Sequence, residues 1–328
     1  ESILMACKTY RDYFNKHKPE IIVSDTVHCA FNKACKYFNI KLVSIKSCEN
    51  GLFNLKNLKK KINKNTILIV ASTPSYNLGI IDQIKEINAI CLNHNIPLHL
   101  DACIGSFLVN YYDTSIGFNL KGVTSISADF HKYGNSPKGA SCIMYNSKNI
   151  MKYQYFIDDK WSGGVYATSS FTGSRCGNIV AMTWATLMYY GYNGYKKNYH
   201  EIIELKNYFV KEVKKIKNIE VIGNPQLSII ALKSNTININ IIAEDLKKNK
   251  WEVNVIQNPN GFHFCLTQYH TREVINSFII DLKESIKNNV NNKSEYSPCI
   301  YGTMQKINDS EIIEEVISDY LNCINGIY

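Results

Sequence analysis

The chain has 328 residues, 45% of them hydrophobic, which is enough for two domains and a sizeable core and lies outside the disordered and fibrous classes. Its formal net charge of +9 comes almost wholly from lysine, with arginine only at Arg11, Arg175 and Arg272, so the charge reads as compositional bias and nucleic acid is not expected as a partner. No apolar run approaches the roughly 20 residues that span a bilayer, and Glu1 to Tyr10 lack the basic start and apolar centre of a signal peptide, so this stretch of chain is expected to be soluble and cytosolic.

Glu1 to Cys7 already reads as the opening turns of a helix, and a segment upstream of Glu1 is expected. Strand-like runs then alternate with amphipathic stretches: Glu20 to Val23, Lys41 to Ile45, Thr66 to Ala71, Pro97 to Asp101, Ser125 to Ala128 and Cys142 to Tyr145. Between them Ala30 to Phe38 and Ile80 to His94 carry helical spacing, and Lys56 to Lys64 reads as a solvated helix face and loop. The pattern predicts a mostly parallel sheet covered on both faces. Ile179 to Tyr190 reads as a long apolar helix. After Tyr195 the character changes to a basic amphipathic helix, Tyr199 to Lys217, and to shorter strands at Ile219 to Ile222, Ser228 to Leu232 and Phe262 to Thr267. Residues 1–195 are therefore expected to form a large α/β domain and 196–328 a smaller α+β domain, with Asn289 to Ser294 a polar connector and Asp309 to Cys323 a terminal helix. Eleven scattered cysteines, without a CxxC pair or metal-type spacing, are expected to be reduced, mostly buried thiols, with no metal site.

The chemistry concentrates in four segments. Ser127-Ala128-Asp129-Phe130-His131-Lys132-Tyr133-Gly134-Asn135-Ser136-Pro137-Lys138-Gly139 follows by about thirty residues the strand Ile96 to Asp101, which ends in a carboxylate. A lysine can hold pyridoxal phosphate covalently, and a carboxylate at the end of an earlier strand can keep the pyridine nitrogen protonated; Lys132 and Asp101 fit these roles. His28 follows a strand and the polar turn Ser24 to Val27, where an imidazole can lie flat on a ring, although a histidine at a strand end is more often structural. Ala71 to Gly79, with Tyr76, closes a buried strand with hydroxyls and a turn. Gly163 to Thr168 and Thr172-Gly173-Ser174-Arg175 have the small residues and hydroxyls of a loop that cradles a phosphate.

Taken in order, these segments resemble the group II pyridoxal-phosphate-dependent decarboxylase family, and within it the sphingosine-1-phosphate lyases. The resemblance runs from Glu1 to Ile324 and is carried by Glu1 to Arg11, Pro19 to Lys41, Ile81 to Phe107, Ser127 to Gly139, Gly163 to Gly194, Gln257 to Thr267 and Ile300-Tyr301-Gly302. It implies the pyridoxal-phosphate-dependent transferase fold of type I, with its N-terminal part missing from this chain. It implies that Lys132 bears pyridoxal 5'-phosphate, that Asp101 pairs with the ring nitrogen, that His28 stacks on the ring and that His131 helps hold the cofactor phosphate. Gly173 and Ser174 would arrive from the other subunit of a homodimer. Lys138 and Arg175 would meet the substrate phosphate, with Tyr76 and Tyr166 near the reacting hydroxyl. The implied reaction is the retro-aldol cleavage of a phosphorylated sphingoid base to a long-chain aldehyde and phosphoethanolamine. The resemblance also implies a parent protein anchored in the endoplasmic reticulum membrane, with its catalytic part facing the cytosol. A group II amino-acid decarboxylase is the nearest alternative, and an inactive paralogue serving as an interaction subunit is another.

Overall fold

The computed structural model describes residues 1–289 and 310–325. The expected connector beyond Asn289 and the block Ile300-Tyr301-Gly302 lie outside the described residues. In chain order the first elements are α1 (Ser2–Phe14), β1 (Glu20–Ser24), α2 (Ala30–Tyr37), β2 (Lys41–Ile45), α3 (Leu55–Lys61), β3 (Thr66–Ser72), α4 (Ile84–His94), β4 (Leu98–Ala102), α5 (Val109–Tyr112), β5 (Val123–Asp129), β6 (Ser141–Tyr145) and α6 (Lys148–Met151). There follow β7 (Phe156–Asp158), β8 (Tyr166–Thr168), α7 (Gly177–Val213), β9 (Glu220–Val221), β10 (Ile229–Lys233), α8 (Ile239–Lys248), β11 (Asn254–Ile256), β12 (Gly261–Cys265), α9 (Arg272–Asn289) and α10 (Ser310–Ile324).

Six strands form a sheet in the order β2-β1-β3-β4-β5-β6, parallel throughout except for β6, which runs antiparallel to β5. β1, β3 and β4 are buried along their whole length, as strands covered on both faces must be, and this is why they read as near-continuous apolar runs. One face packs α1 and α2 through Cys7, Tyr10, Phe31 and Ala34 against Ile21, Val23, Leu68 and Val70. α1 and α4 both end in an asparagine in the left-handed region, Asn15 at φ 45° and Asn95 at φ 53°, whose N–H groups close the last turn.

The chain groups into two compact units. One holds Glu1–Asn207, Ile222–Ile230 and Cys265–Tyr269; the other holds Tyr208–Val221, Ala231–Phe264 and the described residues from His270 onward. The smaller strands pair in the order β11-β12-β10-β9. Within the second unit Phe209, Trp251, Phe264 and Phe278 form an aromatic cluster, and the Trp251 indole N–H donates to Asp281 at 2.6 Å.

Three expectations are corrected. The helix expected from Ile80 begins only at Ile84, because the preceding residues are held against the end of β3: Asp82 N–H donates to the Ser72 carbonyl at 3.1 Å, and Ser72 N–H donates to the Asp82 carboxylate at 2.7 Å. The two helices expected at Ile179 to Tyr190 and Tyr199 to Lys217 are present as the two halves of α7, but they meet at Gly191, where φ 54° and ψ −173° are not helical, so the second starts earlier than expected and ends at Val213. The cysteines are not mostly buried. Of those described all are free, but Cys29, Cys48, Cys176 and Cys323 are exposed, against Cys7, Cys35 and Cys91 in the core. Cys29, Cys48 and Cys176 sit in turns or at helix ends, where a side chain has no core to enter.

Candidate active site

β4 and β5 are parallel neighbours, so their C-terminal residues come out at one edge of the sheet, where ligands of open α/β sheets bind. Asp101 lies at the end of β4 and Asp129 at the end of β5. Lys132 follows in a tight turn closed by Asn135 N–H to Lys132 O at 3.0 Å, Ser136 N–H to Phe130 O at 3.0 Å and His131 N–H to Ala140 O at 3.1 Å. The turn after β4 depends on Gly105: a Cβ there would sit 1.8 Å from the Thr73 carbonyl oxygen, so only glycine admits this approach.

Lys132 opens into a cavity of about 260 Å³ whose walls include His28, Cys103, Asp129, His131 and the first residues of α1, Ser2 to Leu4. Lys132 Nζ lies 3.0 Å from Asp129 Oδ2. Burial pulls the lysine pKa down, but the charge and hydrogen bond of Asp129, helped by Cys103 and Asp101, outweigh it and leave the amine above its ordinary value. His131 Nδ1 stands 2.8 Å from the Ala140 carbonyl, which can only accept, so this nitrogen carries the proton and Nε2 faces Asp129 Oδ2 at 3.8 Å. His28 accepts the Ala30 N–H at Nδ1 at 3.1 Å, and its ring meets that of Tyr76 edge-on at 6.2 Å. Tyr76 is 40% exposed. Its pKa is raised by desolvation and by Cys265, with Lys132 opposing. Asp101, 6% exposed, does not wall the cavity; its Oδ1 accepts the Cys103 N–H at 3.1 Å and the Ser127 hydroxyl at 3.5 Å.

A second cavity, of about 510 Å³, shares Glu1, Gly139, Ser141 and Arg175 with the first and is otherwise largely apolar, with Phe130, Ile179, Trp184 and Leu187 in its wall. The shared Gly139 has φ 91°, a conformation that strains any residue with a Cβ. Arg175 walls both cavities and is paired with Glu1. Ser174 walls the outer one only, while Gly173 and Lys138 are exposed and wall neither. Tyr166 sits among Trp161 and Phe156, its hydroxyl against Gly173. The structure thus brings Lys132, His28, His131 and Arg175 onto one cavity, sets Asp101 beside it and leaves Lys138 in solvent. Sequence reasoning gave no role to Asp129, although its position at a strand end three residues before Lys132 was a usable signal, and none to Cys103.

Pyridoxal phosphate fits these groups. It needs a primary amine, a carboxylate from a neighbouring strand and donors for a phosphate. Lys132 and Asp101 are the first two. For the third, Met5 is the first residue of α1 whose N–H reaches back along the helix, to Glu1 O at 2.9 Å, so the N–H groups of Ser2, Ile3 and Leu4 have no acceptor within the helix where it borders the cavity.

The sequence pattern of the pyridoxal-dependent decarboxylase conserved domain matches residues 5–235. Sphingosine-1-phosphate lyase 1 of Rattus norvegicus is 40% identical over 338 residues, covering 99% of this chain and 60% of its own length. Sphingosine-1-phosphate lyase of Drosophila melanogaster is 40% identical over 98% of this chain and 62% of its own length. This chain therefore spans about 60% of the length of such curated relatives. Among solved structures, the sphingosine-1-phosphate lyase of Burkholderia pseudomallei superimposes with a TM-score of 0.84 at 30% identity, over 89% of this chain and 69% of that one. Lactobacillus brevis glutamate decarboxylase, at 18% identity and a TM-score of 0.77, shares the fold.

Proposed function

Because the chain belongs to the pyridoxal-dependent decarboxylase family, we propose that it is the catalytic part of a pyridoxal-phosphate-dependent sphingosine-1-phosphate lyase, which cleaves a phosphorylated sphingoid base to a long-chain aldehyde and phosphoethanolamine. The observation that carries this reading is the pair of adjoining cavities. The inner one gathers the titratable groups Lys132, Asp129, His131 and His28; the outer one is lined largely with apolar side chains that suit an alkyl chain and would be of no use to a small amino acid. The identity to lyases over nearly the whole chain supports it.

Pyridoxal phosphate, when bound, supplies a conjugated ring that accepts the electron pair released as the carbon–carbon bond breaks. Lys132 would hold that group through Nζ, with His28 at its ring, Asp101 at its ring nitrogen and His131 at its phosphate. The substrate hydroxyl gives up one proton as the aldehyde forms, and the other fragment takes one up at carbon, so the site must accept a proton and return one. The Lys132 amine and the Asp129 carboxylate, 3.0 Å apart on the cavity wall, are placed to do both. Tyr76, its raised pKa keeping the phenol protonated, donates a hydrogen bond to the substrate oxygen. Arg175 exchanges the Glu1 carboxylate for the substrate phosphate, and Lys138, exposed beside the Gly139 that both cavities share, is the second cation this reading assigns to that phosphate.

We further assign cofactor binding to residues 1–195, the small domain to 196–328 and the working assembly to a homodimer in which Gly173 and Ser174 complete the partner's site. No helix among the described residues is long and apolar enough to cross a membrane. The parent protein is proposed to sit at the endoplasmic reticulum membrane with this part in the cytosol, on the resemblance alone.

The test compares phosphorylated and unphosphorylated sphingoid base in full-length wild-type and Lys138→Ala protein. A charge-assisted contact contributes roughly 1.5–3 kcal/mol, so losing one should reduce cleavage of the phosphorylated base about tenfold to a hundredfold. Absence of any preference for the phosphate, together with decarboxylation of an amino acid, would turn the assignment to the decarboxylase branch.

A further inference from the structure

Behind Asp101 lies a line of buried polar side chains. The parallel register sets His99 opposite Ser125 and Asp101 opposite Ser127, and strand residues two apart face the same way, so all four share one face of the sheet. His99 Nδ1 is 2.7 Å from Ser125 Oγ, and His99 Nε2 is 3.2 Å from Ser127 Oγ. At the far end, on α1, the Tyr10 hydroxyl donates to Ser125 Oγ at 2.8 Å. At the near end Ser127 Oγ donates to Asp101 Oδ1 at 3.5 Å, the loosest link. Tyr10, His99, Ser125 and Ser127 are each 0% exposed, so solvent cannot serve them.

Counting protons gives this line a direction. An ionised aspartate only accepts, so the single Ser127 proton goes to Asp101. Ser127 must then accept from His99, which places the imidazole proton on Nε2 and leaves Nδ1 bare. Ser125 supplies the proton to Nδ1 and accepts from Tyr10. Neutral His99 has one ring proton, which is what the line requires, and burial pushes its pKa down to about 3, which keeps it neutral. The Cys103 thiol, 3.4 Å from Ser127 Oγ, adds a second donor to the same oxygen. Thr124 Oγ1 lies 2.6 Å from the Tyr10 oxygen and supplies a proton to it, so with Tyr10 donating to Ser125 every hydroxyl and ring nitrogen of the line is satisfied in this one orientation.

We propose that Tyr10, Ser125, His99 and Ser127 form a one-way hydrogen-bond chain that positions the Asp101 carboxylate for the ring nitrogen of the cofactor. They are positioning residues, acting only through Asp101. The proposal rests on the cofactor assignment and is independent of which substrate is cleaved.

The experiment uses full-length protein carrying Ser127→Ala, His99→Leu, His99→Gln or Tyr10→Phe. Each apoprotein is titrated with pyridoxal phosphate, the visible absorbance of the bound cofactor is followed against pH, and the apoprotein melting temperature is recorded. Losing a donor to a charged acceptor predicts about tenfold weaker cofactor binding in Ser127→Ala and a shifted absorbance profile. His99→Leu should change both readouts in the same direction. His99→Gln, whose amide can still donate to Ser127, should recover part of the loss, and Tyr10→Phe, at the far end, should show the smallest effect. Altered melting with wild-type affinity and a wild-type absorbance profile would reduce the line to a packing device and overturn the proposal. A wild-type protein that binds no pyridoxal phosphate would instead refute the cofactor reading itself, and the control titration shows this separately.

Discussion

With Asp129 3.0 Å from its amine and its pKa raised, Lys132 is an ammonium at neutral pH, so attachment of an aldehyde there begins with loss of a proton. Loading of the apoprotein with pyridoxal phosphate should therefore accelerate with pH, about tenfold per pH unit between roughly pH 7 and 9, because the neutral amine grows in that proportion below its pKa. In Asp129→Asn the rate should be higher at each pH and level off at lower pH; stopped-flow absorbance measures it, and a pH-independent rate in wild type would contradict the account. The sign for stability follows the same shift: the ion pair contributes fully below the ordinary lysine value of 10.5 and is lost as pH rises through the higher folded value. Asp82 behaves in the opposite chemical sense. It is buried between elements and accepts the Ser72 N–H at 2.7 Å, and burial raises its pKa from 3.8 to about 7. A raised folded value means that the contribution of Asp82 to stability is greatest below 3.8 and falls as pH rises toward 7. That fall should be on the order of 2–4 kcal/mol and should flatten in Asp82→Asn when urea midpoints are compared across pH. Equal slopes in the two proteins would refute it.

At the scale of elements, the turn after β4 is the least forgiving. A Cβ at Gly105 meets the Thr73 backbone oxygen at 1.8 Å, and backbone cannot move aside as a flexible side chain can. Gly105→Ala should cost about 1–3 kcal/mol, the usual range for overpacking, read as a lower urea midpoint; an unchanged midpoint would show that the turn can open. The central strands were legible because burial on both faces leaves an uninterrupted apolar signal, as in Thr66 to Ala71. The positions of Asp101 near the end of β4 and of Lys132 in the turn after β5 were legible from the sequence, and the roles assigned to them remain the proposal. What the sequence hid follows the physics of contact. The start of α4 was misread because Asp82 is tied to β3 by bonds that no periodicity records. α8 and α9 went unread among the polar residues of the second unit. The line of His99, Ser125 and Ser127 needs the parallel register that sets β4 beside β5, which no local pattern in either strand records.

At the scale of the whole molecule, β8, the turns that follow it and the first half of α7 carry apolar side chains in solvent: Val165 at 76% exposure, Phe171 at 57%, Trp184 at 64% and Met188 at 61%. Concentrated exposure of this kind is what the proposed homodimer would cover, and it surrounds Gly173 and Ser174, the residues assigned to the partner's site. Met188→Asp, outside both cavities, should convert a dimer to monomers in sedimentation velocity and weaken cofactor binding with it; a wild-type monomer with full cofactor affinity would contradict the shared site. The measurement that bears most directly on the central claim is borohydride reduction of full-length protein loaded with pyridoxal phosphate, followed by peptide mass spectrometry. The account predicts one reduced cofactor per chain, on Lys132, and none in Lys132→Ala. A stable adduct on another lysine, or none in a wild-type protein that cleaves phosphorylated sphingoid bases, would contradict it.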